Sequence, residues 1–173
     1  MTQKNYHKKF LLDPVPTQVK PSDTVLELGG RYATTSCAIA ARLANSGRLV
    51  VVEPDPSVWA VHEFNKLSHN CKSFSVFGVL GDEDAVVQGL AYNTRTRPVG
   101  EGGMLVKHFT WSQLEATTGL KVEQFLKQVN RLTSSSIFQI DTLVMDCEGC
   151  WVDVVLNNRD KMDRVKTILL GKL

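Results

Sequence analysis

The chain has 173 residues, 43% of them hydrophobic and 22% charged, which suits one globular domain with a sizeable core. A formal net charge of +2 leaves no basic surplus to argue for nucleic acid or an anionic membrane. No apolar run approaches the roughly 18 residues of a spanning helix, and Met1 to Lys9 is polar and basic without the apolar centre of a signal peptide, so a cytoplasmic protein is expected.

Residues 1–22 read as an N-terminal strap: a polar lead, then Phe10-Leu11-Leu12, then prolines at 14, 16 and 21 that exclude regular helix. Ser22-Asp23 is turn chemistry, and residues 23–173 form the single domain. Val25, Leu26 and Leu28 suit a buried strand, stopped by Gly29 and Gly30. A helix over about 35–45 follows, with Ile39, Ala40 and Leu43 at helical spacing and Asn45-Ser46-Gly47 as its stop. Leu49 to Val52 is a second strand, closed by Glu53. In an open parallel sheet such a unit puts the glycine turn and the second acid side by side at the carboxyl ends of neighbouring strands. Glycine lets backbone approach a ligand, and a carboxylate at the next strand end can accept two hydrogen bonds from a ribose diol. The unit reads as a nucleoside-cofactor site, the alternative being a βαβ unit with incidental surface acids.

The acids choose among cofactors. Dinucleotide binders show G-x-G-x-x-G, which seats a pyrophosphate on a helix N-terminus. Here Gly29, Gly30 and Ala33 stand without a third glycine, and Glu27 would repel a pyrophosphate but suit an ammonium group. S-adenosylmethionine carries an ammonium, a sulfonium and a ribose diol, and no phosphate. Glu27 for its methionine end and Glu53 for its ribose fit it better than they fit NAD.

Pro56 to Leu67 reads as a second helix, with Pro56 in its first turn, Trp59, Val61 and Phe64 as its core face and Asn65 as a surface or cap residue. Phe74 to Val79 alternates as a third strand, and Gly81-Asp82-Glu83-Asp84 turns the chain. The loop there lies near the adenine in a doubly wound sheet, so Asp82 is a candidate to receive the exocyclic amine; a solvated acidic turn is the alternative. Residues 88–106 suggest a flap or exposed hairpin, where Arg95 and Arg97 either meet an anionic substrate or are simply solvated. Thr110 to Glu115 resembles a capped helix start, with Thr110 or Ser112 as cap. A further helix is expected from Val122 to Leu132, then a polar linker from Thr133 to Ser136.

Ile140 to Asp146 is a buried strand ending in an acid, followed by Cys147-Glu148-Gly149 and a helix from Trp151 to Leu156. If this strand lies beside the first, Asp146 points into the cofactor crevice. A carboxylate there could take a proton from a hydroxyl as methyl is transferred, or ligate a divalent ion that lowers the hydroxyl pKa. Glu148 could orient either partner; the alternative is a pair of acids capping the next helix. Cys147 and Cys150 form a C-x-x-C, a spacing seen in redox pairs and half zinc sites. With no second such pair, buried or half-buried thiols are expected at Cys37, Cys71, Cys147 and Cys150, and no metal.

Val25-Leu26-Glu27-Leu28-Gly29-Gly30, Val52-Glu53-Pro54-Asp55, Phe109-Thr110-Trp111-Ser112-Gln113-Leu114 and Asp141 to Gly149 together resemble the FkbM-type family of S-adenosylmethionine-dependent methyltransferases, over about residues 23–170. The resemblance implies an α/β class I methyltransferase fold, a Rossmann-like, doubly wound, mostly parallel sheet. It implies O-methyl transfer, often to a sugar or small-metabolite hydroxyl, with Asp146 and Glu148 at the chemistry. Glu27, Gly29, Gly30, Glu53, Asp55 and Asp82 are then the cofactor-binding set. The chain departs from the family at Ala33, where glycine is usual, at Cys147 and Cys150, and at Thr167 to Leu173, where only about five of seven expected strands have been counted. The last strand's edge is therefore expected to be covered by a partner, as in a homo-oligomer, or the chain to be shortened. A rival expectation is a degenerate methyltransferase fold serving as a binding or assembly module. A nucleic-acid methyltransferase is disfavoured, since no Asn-Pro-Pro-aromatic run is present to hold a flipped base.

Overall fold

The computed structural model describes residues 18–89, 95–128, 139–147 and 150–170. In chain order its first half contains β1 (Val25–Leu28), α1 (Thr34–Arg42), β2 (Leu49–Glu53), α2 (Trp59–Ser68), β3 (Phe74–Phe77) and β4 (Val79–Leu80). Then come β5 (Ala85–Gln88), β6 (Arg95–Pro98), β7 (Met104–Val106), β8 (His108–Phe109) and α3 (Trp111–Gln128). The last elements are β9 (Thr142–Met145), α4 (Cys150–Asn157), α5 (Arg159–Met162) and β10 (Thr167–Leu170).

The protein is α/β, built on a five-stranded sheet in the order β10-β9-β1-β2-β3. Every pairing in it is parallel, and Leu28 lies level with Val52 on one side and Met145 on the other. The five strands expected near residues 25, 50, 75, 143 and 168 are all present. β1, β2 and β9 are buried along their whole length, because both faces of the sheet are covered. On one face Val25, Val51 and Val144 pack with Ile39, Ala40 and Leu43 and with Val19. On the other, Leu26, Leu28, Val50, Val52, Leu143 and Met145 meet Trp111 and Leu114 of α3 and Val154 of α4. Each such side chain contributes about 1.5–3 kcal/mol by leaving water.

Gly78 is where the chain leaves the main sheet. Its N–H reaches the Glu53 carbonyl at 3.1 Å, while the next N–H, that of Val79, reaches the Lys107 carbonyl at 3.0 Å. A Cβ at Gly78 would collide with that same Lys107 oxygen, so only glycine allows the change of partner. β4 then pairs with β8, and a separate three-stranded antiparallel sheet, β6-β5-β7, starts at Ala85, ahead of the residues 88–106 expected as a flap or hairpin. Arg95 and Arg97 are exposed on β6; residues 90–94 lie outside the described residues.

Several expectations need correction. α1 stops at Arg42 rather than near 45, because Ala44, Asn45 and Gly47 all turn left-handed. α2 starts at Trp59, not Pro56, and of its expected core face only Trp59 packs inward, stacked on Phe77, while Val61 and Phe64 (67% exposed) point outward and His62 is fully buried. Its buried side is polar because that side hydrogen-bonds to neighbouring backbone. The two helices expected after Thr110 are one continuous helix, α3. Its cap is Thr110, whose Oγ1 accepts from Gln113 N at 3.3 Å while Gln113 Oε1 accepts from Thr110 N at 2.8 Å, a reciprocal capping box.

The cysteines are not thiols. Cys37 of α1 is bonded to Cys71 just past α2, and Cys147 is bonded to Cys150. α1 and α2 pack together on one face of the sheet, which brings residues 34 apart in sequence to bonding distance. β10 is an edge strand with Ile168 and Leu170 exposed (47% and 57%), and Leu169 packs inward. The strap residues 1–17 and the linker Thr133 to Ser136 lie outside the described residues. No described helix is long and apolar enough to cross a membrane.

Candidate functional site

β1, β2 and β9 are neighbours and run the same way, so Glu27, Glu53 and Asp146 share the carboxyl rim of the sheet. The alternation of strand side chains puts all three on the face that α1 covers, with Val25, Val51 and Val144. They are close enough for Asp146 and Glu53 both to act on Glu27 electrostatically.

Glu27 is fully buried. Its Oε2 accepts from Ser36 Oγ of α1 at 2.5 Å, and its Oε1 has no hydrogen-bond partner among the described residues. Burial pushes its pKa from the ordinary 4.5 up to about 8; Ser36 opposes this, and the neighbouring charges of Asp146 and Glu53 add to it. At neutral pH this carboxyl holds a proton that a cation would displace.

Glu53 is buried, with one hydrogen bond on each oxygen. Its Oε2 accepts from the Arg31 N–H at 2.6 Å and its Oε1 from the Asp55 N–H at 2.7 Å. Burial raises its pKa although these two amides favour the charged form. Each oxygen keeps a lone pair for a hydroxyl donor. Asp55 is also buried, and its Oδ1 accepts from Ser57 N at 2.9 Å and Ser57 Oγ at 2.6 Å, a local turn leading into α2.

Between β1 and α1 the loop 29–33 is bent by three left-handed residues, Gly29 (φ 89), Arg31 (φ 43) and Ala33 (φ 62). A Cβ on Gly29 would lie 2.5 Å from the Asp146 carbonyl oxygen, and one on Gly30 would overlap Val51 Cγ1. The space saved by both glycines is thus filled by the chain itself, which locks the loop against β9 and β2.

The other clamp was not legible in the sequence. His62 Nδ1 lies 3.1 Å from the Arg31 carbonyl, so that nitrogen carries the proton and donates; Nε2, 3.0 Å from Ser75 Oγ, accepts. Burial lowers the His62 pKa, with Lys66 nearby acting in the same direction, which keeps the ring neutral. Lys66 Nζ donates to Ser75 Oγ at 2.8 Å and to Glu63 Oε1 at 2.7 Å. Asn65 Nδ2 donates to the Tyr32 carbonyl at 2.9 Å, so this residue holds the loop rather than ending a helix. No sequence signal marks this clamp, because the burial of His62 arises only once α2 is packed on the sheet.

Asp146 differs from all of these. Its backbone is fixed, N–H to the Leu28 carbonyl at 2.9 Å, but its half-buried carboxylate has no hydrogen-bond partner among the described residues. Glu148 and Gly149 lie outside the described residues. Asp82 is exposed in the turn after β4 and is not drawn to the three rim acids by any described contact; its neighbour Asp84 is the bonded acid, holding Lys107 Nζ at 2.6 Å and His108 Nδ1 at 2.8 Å. No group of three or more His, Cys, Asp or Glu among the described residues is placed to hold a metal ion. Searches against family models, curated proteins and solved structures found no match to this chain.

Proposed function

We propose that the protein is an S-adenosylmethionine-dependent O-methyltransferase of the FkbM type, with a Rossmann-like methyltransferase fold and a hydroxyl of a sugar or small metabolite as acceptor. The observation that carries this reading is the Glu27 carboxyl: fully buried, with one oxygen lacking a partner, and flanked by two more acids at the same rim. Such a group ionises readily only beside a cation, and its ionised form receives that cation and excludes phosphate. The cofactor, when bound, supplies an electrophilic methyl group. Glu27 holds the ammonium and gives up its proton to solvent. Glu53 accepts from the ribose diol with its remaining lone pairs, while its two amide bonds keep loop 29–33 in shape. Asp146 takes the proton of the acceptor hydroxyl.

Calorimetry with S-adenosylmethionine tests the assignment. Binding near pH 7 is expected to release about one proton per cofactor, detected as a heat that depends on the buffer, and the release fades above about pH 9. Glu53→Gln is expected to weaken binding about tenfold or more, the loss of roughly one charge-assisted hydrogen bond. No binding by the native chain, or binding indifferent to Glu53→Gln and without proton release, would remove the proposal.

The exposed edge of β10 favours a second reading, a non-catalytic methyltransferase fold that docks a partner. A stable complex that needs no cofactor and survives Asp146→Ala would favour it. Methyl transfer to any acceptor counts against it.

A further inference from the structure

The two bonded cysteine pairs lie on opposite faces of the sheet, and only the first has a buried member. Cys71 is buried in the core cluster with Val19, Ile39 and Leu43, and Cys37, itself half-buried, packs against that cluster, so one sulfur of this bond is shielded by apolar side chains. Cys147 follows Asp146 at the end of β9, and Cys150 is the first residue of α4, their Cα atoms 5.6 Å apart. Both sulfur-bearing side chains are only half-buried, at the margin of the opposite cluster. A thiolate at a helix start is stabilised by the unpaired N–H groups and partial positive charge there, and a stabilised thiolate is the better leaving group in disulfide exchange. The strand side is held by the Asp146 N–H on the Leu28 carbonyl and by the close approach of Gly29 to the Asp146 carbonyl.

We propose that Cys147–Cys150 is a thiol–disulfide exchange site whose substrate is a small or protein-borne dithiol, and that Cys37–Cys71 is a staple that takes no part. One thiolate of the dithiol attacks Cys147 Sγ. The Cys147–Cys150 bond breaks, and its electron pair leaves on Cys150 Sγ at the start of α4. The second thiolate of the dithiol then attacks the sulfur now joined to Cys147, closing the oxidised disulfide and releasing Cys147 Sγ. Two electrons and two protons pass from the dithiol to the cysteine pair. This assignment is independent of the methyl-transfer reading.

The test uses the native chain, incubated at pH 7 with graded dithiothreitol, quenched with iodoacetamide and mapped by peptide mass spectrometry. Cys147 and Cys150 are expected to become alkylated together at about tenfold or more lower dithiothreitol than Cys37 and Cys71. In Cys147→Ser, the rate of Cys150 alkylation against pH is expected to turn over clearly below the ordinary thiol value of about 8.5. Opening of both pairs at the same dithiothreitol would overturn the proposal. So would a Cys147–Cys150 bond that resists until the chain is unfolded, or a Cys150 that titrates as an ordinary thiol.

Discussion

Glu53 and Asp146 end strands on either side of β1, and the protein treats them in opposite ways. Glu53 is buried, and both its oxygens hold backbone N–H groups of the surrounding loops. Asp146 is half-buried, pinned by its backbone, with a carboxylate that no described residue hydrogen-bonds and that acts on Glu27 only through its charge. One acid shapes the rim and the other is left over for chemistry. Removing a shaping group therefore costs stability, whereas removing an uncommitted one costs activity.

The largest effect falls where the two sides meet, at Gly29. Gly29→Ala combines a left-handed backbone with a Cβ 2.5 Å from the Asp146 carbonyl oxygen, and a backbone neighbour cannot move aside cheaply. Urea unfolding is expected to show a loss of roughly 3 kcal/mol or more. A loss below about 1 kcal/mol would mean that β9 is not held tightly against the loop.

Next comes the clamp on the Glu53 side. His62→Leu keeps much of the side-chain volume but removes the donor to the Arg31 carbonyl and the acceptor for Ser75. About 2 kcal/mol should be lost by the same measurement, since both part-buried hydrogen bonds of the ring disappear. An unchanged midpoint would show that the helix holds loop 29–33 by Asn65 alone.

A third prediction concerns pH. Below about pH 4.5 Glu27 is neutral in both the folded and the unfolded chain. Between about 4.5 and about 8 the unfolded chain ionises it and the folded chain does not, so stability falls as pH rises through this window. The slope from this group is at most about 1.4 kcal/mol per pH unit. Glu27→Gln keeps the Ser36 contact possible and is expected to flatten that part of the profile, leaving the variant the more stable chain at pH 8. A profile identical to that of the native chain would place the Glu27 pKa near its ordinary value.

How much of this was legible beforehand depends on what each element buries. β1 and β2 could be read because apolar runs stopped by Gly29-Gly30 and by Glu53 leave few alternatives, and the three rim acids followed from strand order. α2 could not, because its inward side is His62, with Asn65 and Lys66 bonding inward too. Hydrophobic periodicity there points at Trp59, Val61 and Phe64, of which Val61 and Phe64 face outward while Trp59 stacks on Phe77. α3 looked like two helices because Thr117-Thr118-Gly119 is poor helix sequence, but burial of Thr118 and Leu114 overrides local propensity. The Cys37–Cys71 bond has no sequence signal at all, since it depends on α1 and α2 packing side by side.

The smallest effect on stability should come from the residue on which the chemistry turns. Asp146→Asn is nearly isosteric, keeps the N–H that pairs with Leu28, and breaks no side-chain bond among the described residues. Its midpoint should move by no more than about 0.5 kcal/mol. Because Asp146 raises the Glu27 pKa, the substitution should also lower that pKa slightly, so that the falling limb of the stability profile starts at the same pH but levels off at a lower one. Methyl transfer to an acceptor hydroxyl should fall by about 10²-fold or more, the usual worth of a positioned base, while cofactor binding persists. Were Asp146→Asn instead to cost as much stability as His62→Leu, the carboxylate would belong with Glu53 among the groups that shape the rim, and the proton of the acceptor would need another destination.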